Sequence, residues 1–448
     1  MGNKLLNTPW GENEINAVRA VLVSVITGRT TEREAQVSLD ELERLLETAG
    51  GSAFARLTQS KDSPDPATVI GSGKIKELYE LCSINDVPLV VFDMELTPSQ
   101  IKNIEDALSD DKHDVMVIDR AMLILDIFAL HAQSSEGKLQ VELAQLRYTA
   151  PRLIGKGLQL SRQVGGNIAV RGPGETKLET DRRYIERRIQ FLEEQLRKLD
   201  SSRSTMRKAR QRSGITSCAI VGYTNAGKST LLNYLTGAGI LAEDKLFATL
   251  DPTTRRYKLP SGEEILLTDT VGFIRNLPHH LIKAFKSTLD EVKFADIILV
   301  LIDASDPECQ NQLKVSKELL RELGVEDKPI IYVWNKCDAE SDRLLNVVWD
   351  QAGSLVSFKD TVAVSAKTGE GIDELIAKLE EAVSHGRLPV TYRIPNIKSG
   401  ELSRLYNLAT VTNVNYTHEY IEVDTLSDNR ARGVFSEYVY NSPDNIDE

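Results

Sequence analysis

Residues Gly222 to Thr230 read GYTNAGKST, which satisfies the pattern G-x-x-x-x-G-K-[ST]. What this spacing can do is hold phosphate. The two glycines let the backbone curl so that successive N–H groups, from Asn225 and Ala226 through Gly227 to Thr230, point at phosphate oxygens. Lys228 adds a fixed positive charge for the outer phosphates, and Ser229 a hydroxyl for the metal that bridges them. An apolar run, Cys218 to Val221, precedes the loop and a helical pattern, Leu231 to Leu235, follows it, so the motif has its strand–loop–helix setting.

A phosphate loop cannot choose between bases, and that choice falls to residues further on. After the apolar run Ile330 to Trp334 come Asn335, Lys336, Cys337 and Asp338; after Val362 to Val364 come Ser365, Ala366 and Lys367. A carboxylate at a strand end accepts two hydrogen bonds from guanine N1–H and its exocyclic amine, a donor pair that adenine lacks. Asp338 is therefore the expected guanine reader. Asn335 is expected to tie the base-reading loops together, the stem of Lys336 to cover the ring, and the Ala366 N–H to donate to guanine O6.

Leu266 to Phe273 read LLTDTVGF, an apolar strand that delivers Asp269 toward the metal and Gly272 toward the γ-phosphate. Between this and the phosphate loop lies FATLDPTT, Phe247 to Thr254, where a switch threonine would complete a Mg²⁺ shell; Thr249, Thr253 and Thr254 compete for that role. The set resembles a translation-factor-type GTPase, and FATLDPT resembles the HflX and Obg branch, which points to Thr249. The catalytic residues so expected are Lys228, Thr249 and Gly272, and the metal ligands Ser229, Thr249 and Asp269. Where small GTPases carry a water-orienting Gln after the DxxG glycine, this chain has Phe273, whose ring cannot orient water by hydrogen bonding. Slow unaided hydrolysis is expected, completed by a group from elsewhere. Asn225 resembles the asparagine with which some GTPases hold a K⁺ ion.

The elements around these residues imply several domains, since 448 residues exceed one core. The expected division is an N-terminal α/β domain over 1–136, a basic helical hairpin with a glycine-rich loop over 137–213, a GTPase domain with a mixed sheet and helices on both faces over 214–385, and a small C-terminal α+β appendage over 386–448. In the first, residues 37–48 and 99–108 read as helices and 87–93 and 114–119 as buried strands, which implies a parallel sheet. In the hairpin, Leu139, Leu143 and Leu146 share a helical face that Pro151 is expected to interrupt. Beyond the glycine-rich stretch, Leu178, Ile185, Ile189, Leu192, Leu196 and Leu199 recur at three- and four-residue spacing, as the second arm would.

Net charge is −12, yet residues 152–212 hold 16 Lys and Arg against 7 Asp and Glu, a local +9 that leaves −21 for the rest. A basic segment within an acidic chain confines polyanion attraction to one surface. The four cysteines are scattered, without the spacing of a zinc site or a disulfide framework. The longest apolar stretch, near Ile297 to Ile302, is far short of the roughly 20 residues that span a bilayer. A soluble, cytoplasmic monomer with no membrane span is expected.

GKLQVELAQLRY (Gly137 to Tyr148) and RGPGETKLETDRR (Arg171 to Arg183), in series with GYTNAGKST, FATLDPT and DTVGF, resemble the HflX family of ribosome-associated GTPases, from about residue 69 to about residue 373. The resemblance implies GTP as substrate, Mg²⁺ as cofactor, and the large ribosomal subunit as partner, with the loop between the hairpin helices reaching its rRNA and the GTP-bound form splitting or recycling ribosomes. The family's QGGGIGTRGPGE stands here as QVGGNIAVRGPGE, altered and one residue longer. Alternatives from the same domain are a GTPase of ribosome assembly or a partner of an RNA-modifying enzyme. The modification GTPases carry a C-terminal cysteine signature, whereas no cysteine follows Cys337, and a KH module needs a G-x-x-G that the C-terminal glycines do not form. A regulatory GTPase binding only proteins would have no use for the basic hairpin.

Overall fold

The computed structural model describes residues 18–28, 30–163, 173–213, 215–237, 246–247, 251–275, 286–339, 360–385, 388–427 and 429–440. They form two compact units: the first runs to Arg197 and also takes in Leu246, Phe247, Asp251, Arg275 and Lys286, and the second holds the remainder.

The first unit alternates β1 (Arg19–Ile26), α1 (Glu32–Thr48), β2 (Ser52–Ser60), α2 (Ser72–Asn85), β3 (Leu89–Phe92), α3 (Pro98–Leu108), β4 (Met116–Asp119) and α4 (Arg120–His131). Its sheet, ordered β2-β1-β3-β4, is parallel throughout. All four residues of β3 are buried, as a strand covered on both faces requires. Helix starts are set by side chains. Thr31 and Glu34 form a capping box ahead of α1, five residues earlier than the apolar periodicity predicts, and Thr97 with Gln100 does the same for α3, where Pro98 occupies the first helical position.

Two long helices follow, α5 (Ser135–Gln163) and α6 (Pro173–Ser213). Helix α5 continues through Pro151 instead of stopping there. A proline costs the helix one hydrogen bond and crowds the preceding turn, but it does not end a helix whose flanking turns are otherwise held. Near its start, Val141, Leu143 and Ala144 are buried against the unit's core. The two arms are joined by charge: Arg188 reaches Glu142 with two hydrogen bonds of 2.6 and 2.8 Å, and Arg147 reaches Glu193 at 2.6 Å. The glycine-rich loop, residues 164–172, lies outside the described residues.

The second unit contains β5 (Thr216–Gly222), α7 (Lys228–Thr236), β6 (Thr253–Lys258), β7 (Glu264–Asp269), α8 (Lys286–Phe294, from Ser287 onward), β8 (Ile297–Asp303), α9 (Cys309–Glu322), β9 (Ile330–Asn335), β10 (Thr361–Ala363) and α10 (Ile372–His385). The sheet order is β10-β9-β8-β5-β7-β6, with β6 antiparallel to β7 and the other pairs parallel. Ile220, Leu299, Leu301 and Val333 of the central strands share a core with Leu231 of α7 and Leu375 and Leu379 of α10. The last segment is β11 (Leu388–Pro395), α11 (Gly400–Leu408), β12 (Thr410–Tyr416), β13 (Tyr420–Ser427), α12 (Asn429–Val434) and β14 (Val439–Tyr440). Its antiparallel sheet is ordered β12-β13-β11-β14, the βαββαβ arrangement of ferredoxin-like modules. No helix among the described residues is long and apolar enough to cross a membrane.

Candidate nucleotide site

The site is built where β5, β7, β8 and β9 end, the edge at which open α/β sheets present ligand-binding loops. Gly222 closes β5, and the chain turns through Tyr223 to Gly227 before α7 begins at Lys228. Gly227 has φ +92, a left-handed conformation, and a Cβ there would fall 2.3 Å from Asn335 Nδ2. Asn225 is also left-handed, at φ +61, a conformation that asparagine tolerates better than most residues. The N–H groups at the start of α7 and its dipole both favour an anion in front of the loop.

Lys228 is 7 % exposed, and its ammonium donates to the Tyr223 carbonyl at 2.8 Å and the Gly222 carbonyl at 3.3 Å. Burial lowers its pKa to about 8, with Asp269 acting in the opposite sense. Ser229 Oγ donates to Asp269 Oδ2 at 2.6 Å, so the hydroxyl and the carboxylate expected at a metal are already side by side. Asp269 is fully buried at the end of β7. Thr230 follows in the first turn of α7, half-buried. Gly272 packs directly on the phosphate loop: a Cβ would lie 2.7 Å from Thr224 Cα and 3.0 Å from Lys228 Nζ, so a side chain there would displace either the loop or the lysine. Phe273 is 2 % exposed, exchanging backbone hydrogen bonds with Gly222 and Thr224. Its side chain is buried.

Thr249 lies outside the described residues. Thr253 and Thr254, the other candidates for the switch threonine, open β6; Thr253 pairs with Asp269 across the sheet, and Thr254 Oγ1 is 3.0 Å from Thr268 Oγ1.

At the base end, Asn335 Nδ2 donates to the Ala226 carbonyl at 2.8 Å and Asn335 Oδ1 accepts from the Ala366 N–H at 2.9 Å, so one side chain joins the phosphate loop to both base-reading loops. The Ala366 N–H thus stands within the same loop junction as Asn335. Asp338 is exposed, as a group that must meet a ligand should be, and Ser365 Oγ fixes it by donating to Oδ1 at 2.6 Å. Lys336 takes φ +65, and its ammonium lies 2.7 Å from Asp303 Oδ2. Lys367 is exposed beside Ala366. Asp303 escapes a motif reading. Its signal, an acidic residue ending the apolar run Ile297 to Ile302, is visible only when that run is read as a neighbour of β9.

A hydroxyl and a single carboxylate suit Mg²⁺, a hard cation that keeps several waters and takes its other oxygens from phosphate. No group of three or more His, Cys, Asp or Glu that could cage a metal occurs among the described residues. The donor set therefore fits a cation delivered with a nucleotide better than a dedicated protein site.

Comparison with known proteins agrees with this geometry. Family models match along the chain: GTP-binding GTPase N-terminal over residues 36–129, GTP-binding GTPase middle region over 131–210, and 50S ribosome-binding GTPase over 217–336. The GTPase HflX of Lacrimispora saccharolytica is 53% identical over 362 residues, covering 81% of this chain and 82% of its own. The GTPase HflX of Escherichia coli K12 is 40% identical over 393 residues, covering 88% and 89%. Among solved structures, a GTP-binding protein from Sulfolobus solfataricus in complex with GDP is 27% identical over 82% of this chain and 98% of its own, with a TM-score of 0.42. With relatives 40–53% identical over more than four-fifths of its length, and a GTPase family model on the domain that carries the G-x-x-x-x-G-K-[ST] loop, the chain belongs to the HflX family of GTPases and is a GTP-binding, GTP-hydrolysing protein.

Proposed function

We propose that this GTPase docks on the large ribosomal subunit through the α5–α6 hairpin, in the GTP-bound form, and separates or recycles ribosomes in the cytoplasm as a monomer. The observation that carries this reading is the hairpin: residues 152–212 hold a local charge of +9, and its arms are joined by Arg188–Glu142 and Arg147–Glu193. Matches to a 50S ribosome-binding GTPase model and to HflX proteins over most of the chain support it.

Within the site, the assigned roles follow from charge and geometry. Lys228 and the N–H groups of Asn225 to Thr230 neutralise and orient the phosphates, and the Gly272 N–H approaches the γ-phosphate. Ser229, Asp269 and Thr249 would hold Mg²⁺, which would supply positive charge to offset that of the phosphates. Asn225 would hold a K⁺ ion if one takes part. Asp338, held by Ser365, reads guanine, Lys336 covers its ring, and Asn335 with Ala366 keeps the loops in register with Lys367 alongside. Phe273 is buried and its ring cannot orient water by hydrogen bonding, so hydrolysis is slow until the ribosome supplies the missing organisation. Co-sedimentation with purified subunits tests the proposal. Retention on large subunits with a non-hydrolysable GTP analogue and release with GDP is expected; equal behaviour in both states would overturn it, and retention on small subunits alone would favour an assembly role.

A further inference from the structure

Lys336 turns the chain at φ +65, a left-handed backbone that a residue with a long side chain avoids unless its surroundings hold it. Both neighbours are held. The Asn335 carbonyl accepts from the Ala304 N–H at 2.9 Å on the β8 side, and the Cys337 N–H donates to the Val364 carbonyl at 3.2 Å on the β10 side. The side chain is held too, its ammonium lying 2.7 Å from Asp303 Oδ2. Asp303 closes β8 opposite Asn335 and is 9 % exposed. Its second oxygen, Oδ1, accepts from the Ser305 N–H at 3.0 Å and from the Ser305 hydroxyl at 2.6 Å. The carboxylate is therefore oriented by Ser305 independently of the lysine. Neither Asp303 nor Ser305 belongs to the phosphate loop or to the two base-reading strings.

A lysine stem is long and flexible, and it loses that freedom when it is laid against a flat ring. An acceptor that already fixes its far end removes part of that loss from the binding step. The ion pair also gives the ammonium a partner inside the chain, so that the apolar stem, and not the charge, is what remains to meet a purine. We propose that Asp303, oriented by Ser305, is a positioning residue for nucleotide binding: it pins the Lys336 ammonium at the end of β8 and so pre-orders the stem as the cover of the guanine ring. The inference rests on the reading that this stem covers the base. It divides the work at the base end. Asp338 chooses the base, whereas Asp303 sets how tightly a purine nucleotide is held, because an apolar cover has no donor or acceptor with which to tell one purine from another. GDP and GTP are affected alike, since the contact is made at the base and not at the phosphates.

A double-mutant cycle on the full chain tests this, with Asp303→Asn, Lys336→Ala and the two combined, each titrated with GDP, a non-hydrolysable GTP analogue and xanthosine diphosphate. The asparagine amide can still accept from Ser305 through its oxygen, but it turns an NH₂ group toward the ammonium and ends the ion pair. Asp303→Asn is expected to weaken GDP and the GTP analogue together by about tenfold, the scale of one charge-assisted hydrogen bond, and to leave the preference for guanine over xanthine as in wild type. In the Lys336→Ala background the same substitution should cost less than about twofold, because a residue that acts through the lysine has nothing left to act on. Unchanged affinity in Asp303→Asn would overturn the proposal, as would an altered base preference. So would a tenfold loss that persists without the lysine, since Asp303 would then be supporting the fold. Lys336→Ala alone separates the premises: no loss there removes the lysine as the ring's cover, whereas a loss there with none in Asp303→Asn removes Asp303 alone. Should Asp303→Asn fail to fold, Ser305→Ala carries the test, since it keeps the ion pair but frees the carboxylate to turn; a loss of about threefold for GDP and analogue alike is expected, and an unchanged affinity overturns the proposal.

Discussion

The chain contains a parallel sheet in the first unit and a mixed one in the second, and parallel strands of both end in charged residues that are treated in different ways. In the first unit, Asp93 and Arg120 follow β3 and β4, and Arg120 is 2 % exposed with its guanidinium on Asp93 at 2.8 Å, on Glu41, and on the Ser38 hydroxyl at 3.2 Å. Burial alone would lower the Arg120 pKa, but Glu41 and Asp93 more than offset it and hold it above the usual value. Asp119 caps α4 through the Met122 N–H and also accepts from the Leu96 N–H and the Tyr148 hydroxyl. In the second unit Lys228 is nearly as buried, yet its hydrogen bonds go to its own loop's carbonyls and its pKa falls to about 8. Arg120 is ion-paired directly with Asp93 and Glu41, whereas Lys228 is held by carbonyls, with Asp269 the charge that favours its ammonium. The same strand-end geometry yields a structural corner or a binding site according to where the opposite charge comes from.

The most severe way to break this comparison is to remove each cation in turn. Lys228→Ala should cost hydrolysis roughly 10²–10³-fold, the scale for losing one pre-ordered charge stabiliser, with little change in unfolding temperature. Arg120→Met should do the reverse: it takes the arginine away from the buried Asp93 and the half-buried Glu41, which costs about 3–5 kcal/mol of stability, while the protein that remains folded still binds GTP. Thermal unfolding and nucleotide titration on both variants decide it. If Arg120→Met abolished nucleotide binding at a temperature where it is folded, the first unit's charged corner would not be the self-contained structure described here.

Asp338→Asn comes next. Losing two hydrogen bonds to an ionised group, about 1.5–3 kcal/mol each, should weaken GTP by ~10²-fold or more and bring xanthosine triphosphate into competition, because an amide can donate to the 2-oxo group that a carboxylate repels. Titrating both nucleotides against both proteins is the check. A mutant that still prefers GTP to the wild-type extent would take Asp338 out of base reading.

Why these residues were legible and others were not follows from how far apart the partners stand in the chain. Phosphate binding needs consecutive N–H groups, and base reading needs side chains at one strand end, so GYTNAGKST and NKCD declare themselves within a few residues. Helix α1 declared its apolar face but not its start, because the cap at Thr31 is a polar contact outside that periodicity. Arg120 and Glu41 are 79 residues apart, with no periodic pattern linking them. Pro151 was misleading for the opposite reason, being a local breaker signal overridden by a helix held on both sides.

The open edge should also respond to pH. With the Lys228 pKa near 8 in the free protein, the ammonium that phosphate requires is fully present below about pH 8 and titrates away above it. Phosphate stabilises the charged form and raises that pKa in the complex, so binding takes up a proton above pH 8. GTP affinity should be flat on the acid side of 8 and fall on the alkaline side by up to about tenfold per pH unit. Calorimetry at pH 8.8 in two buffers of different ionisation enthalpy reads the proton directly. Equal heats in the two buffers with an unchanged affinity would mean that Lys228 keeps its charge without a nucleotide, and the contrast with Arg120 would lose its electrostatic basis.

The smallest expected effect lies on α6, where the same division between committed and available charge recurs at the surface. Arg188 is committed: its two bonds to Glu142 tie the hairpin arms, and its guanidinium also lies 5.3 Å over the Phe191 ring. Arg187, one residue before it, points outward and is exposed. If the hairpin meets RNA, Arg187→Gln should release one counterion fewer per binding event, reducing the slope of log affinity against log salt by roughly 0.7–0.9 and weakening large-subunit binding modestly at low salt. Arg188→Gln should change that slope less but loosen the hairpin, seen as faster amide exchange around Glu142 and Phe191. Nucleotide affinity should stay the same in both, since the phosphate loop begins at Gly222, beyond these positions. Equal slopes for wild type and Arg187→Gln, measured with a saturating GTP analogue, would make this arginine part of a solvated helix face and move the search for the ribosome-facing surface to the sheet and helices of the first unit.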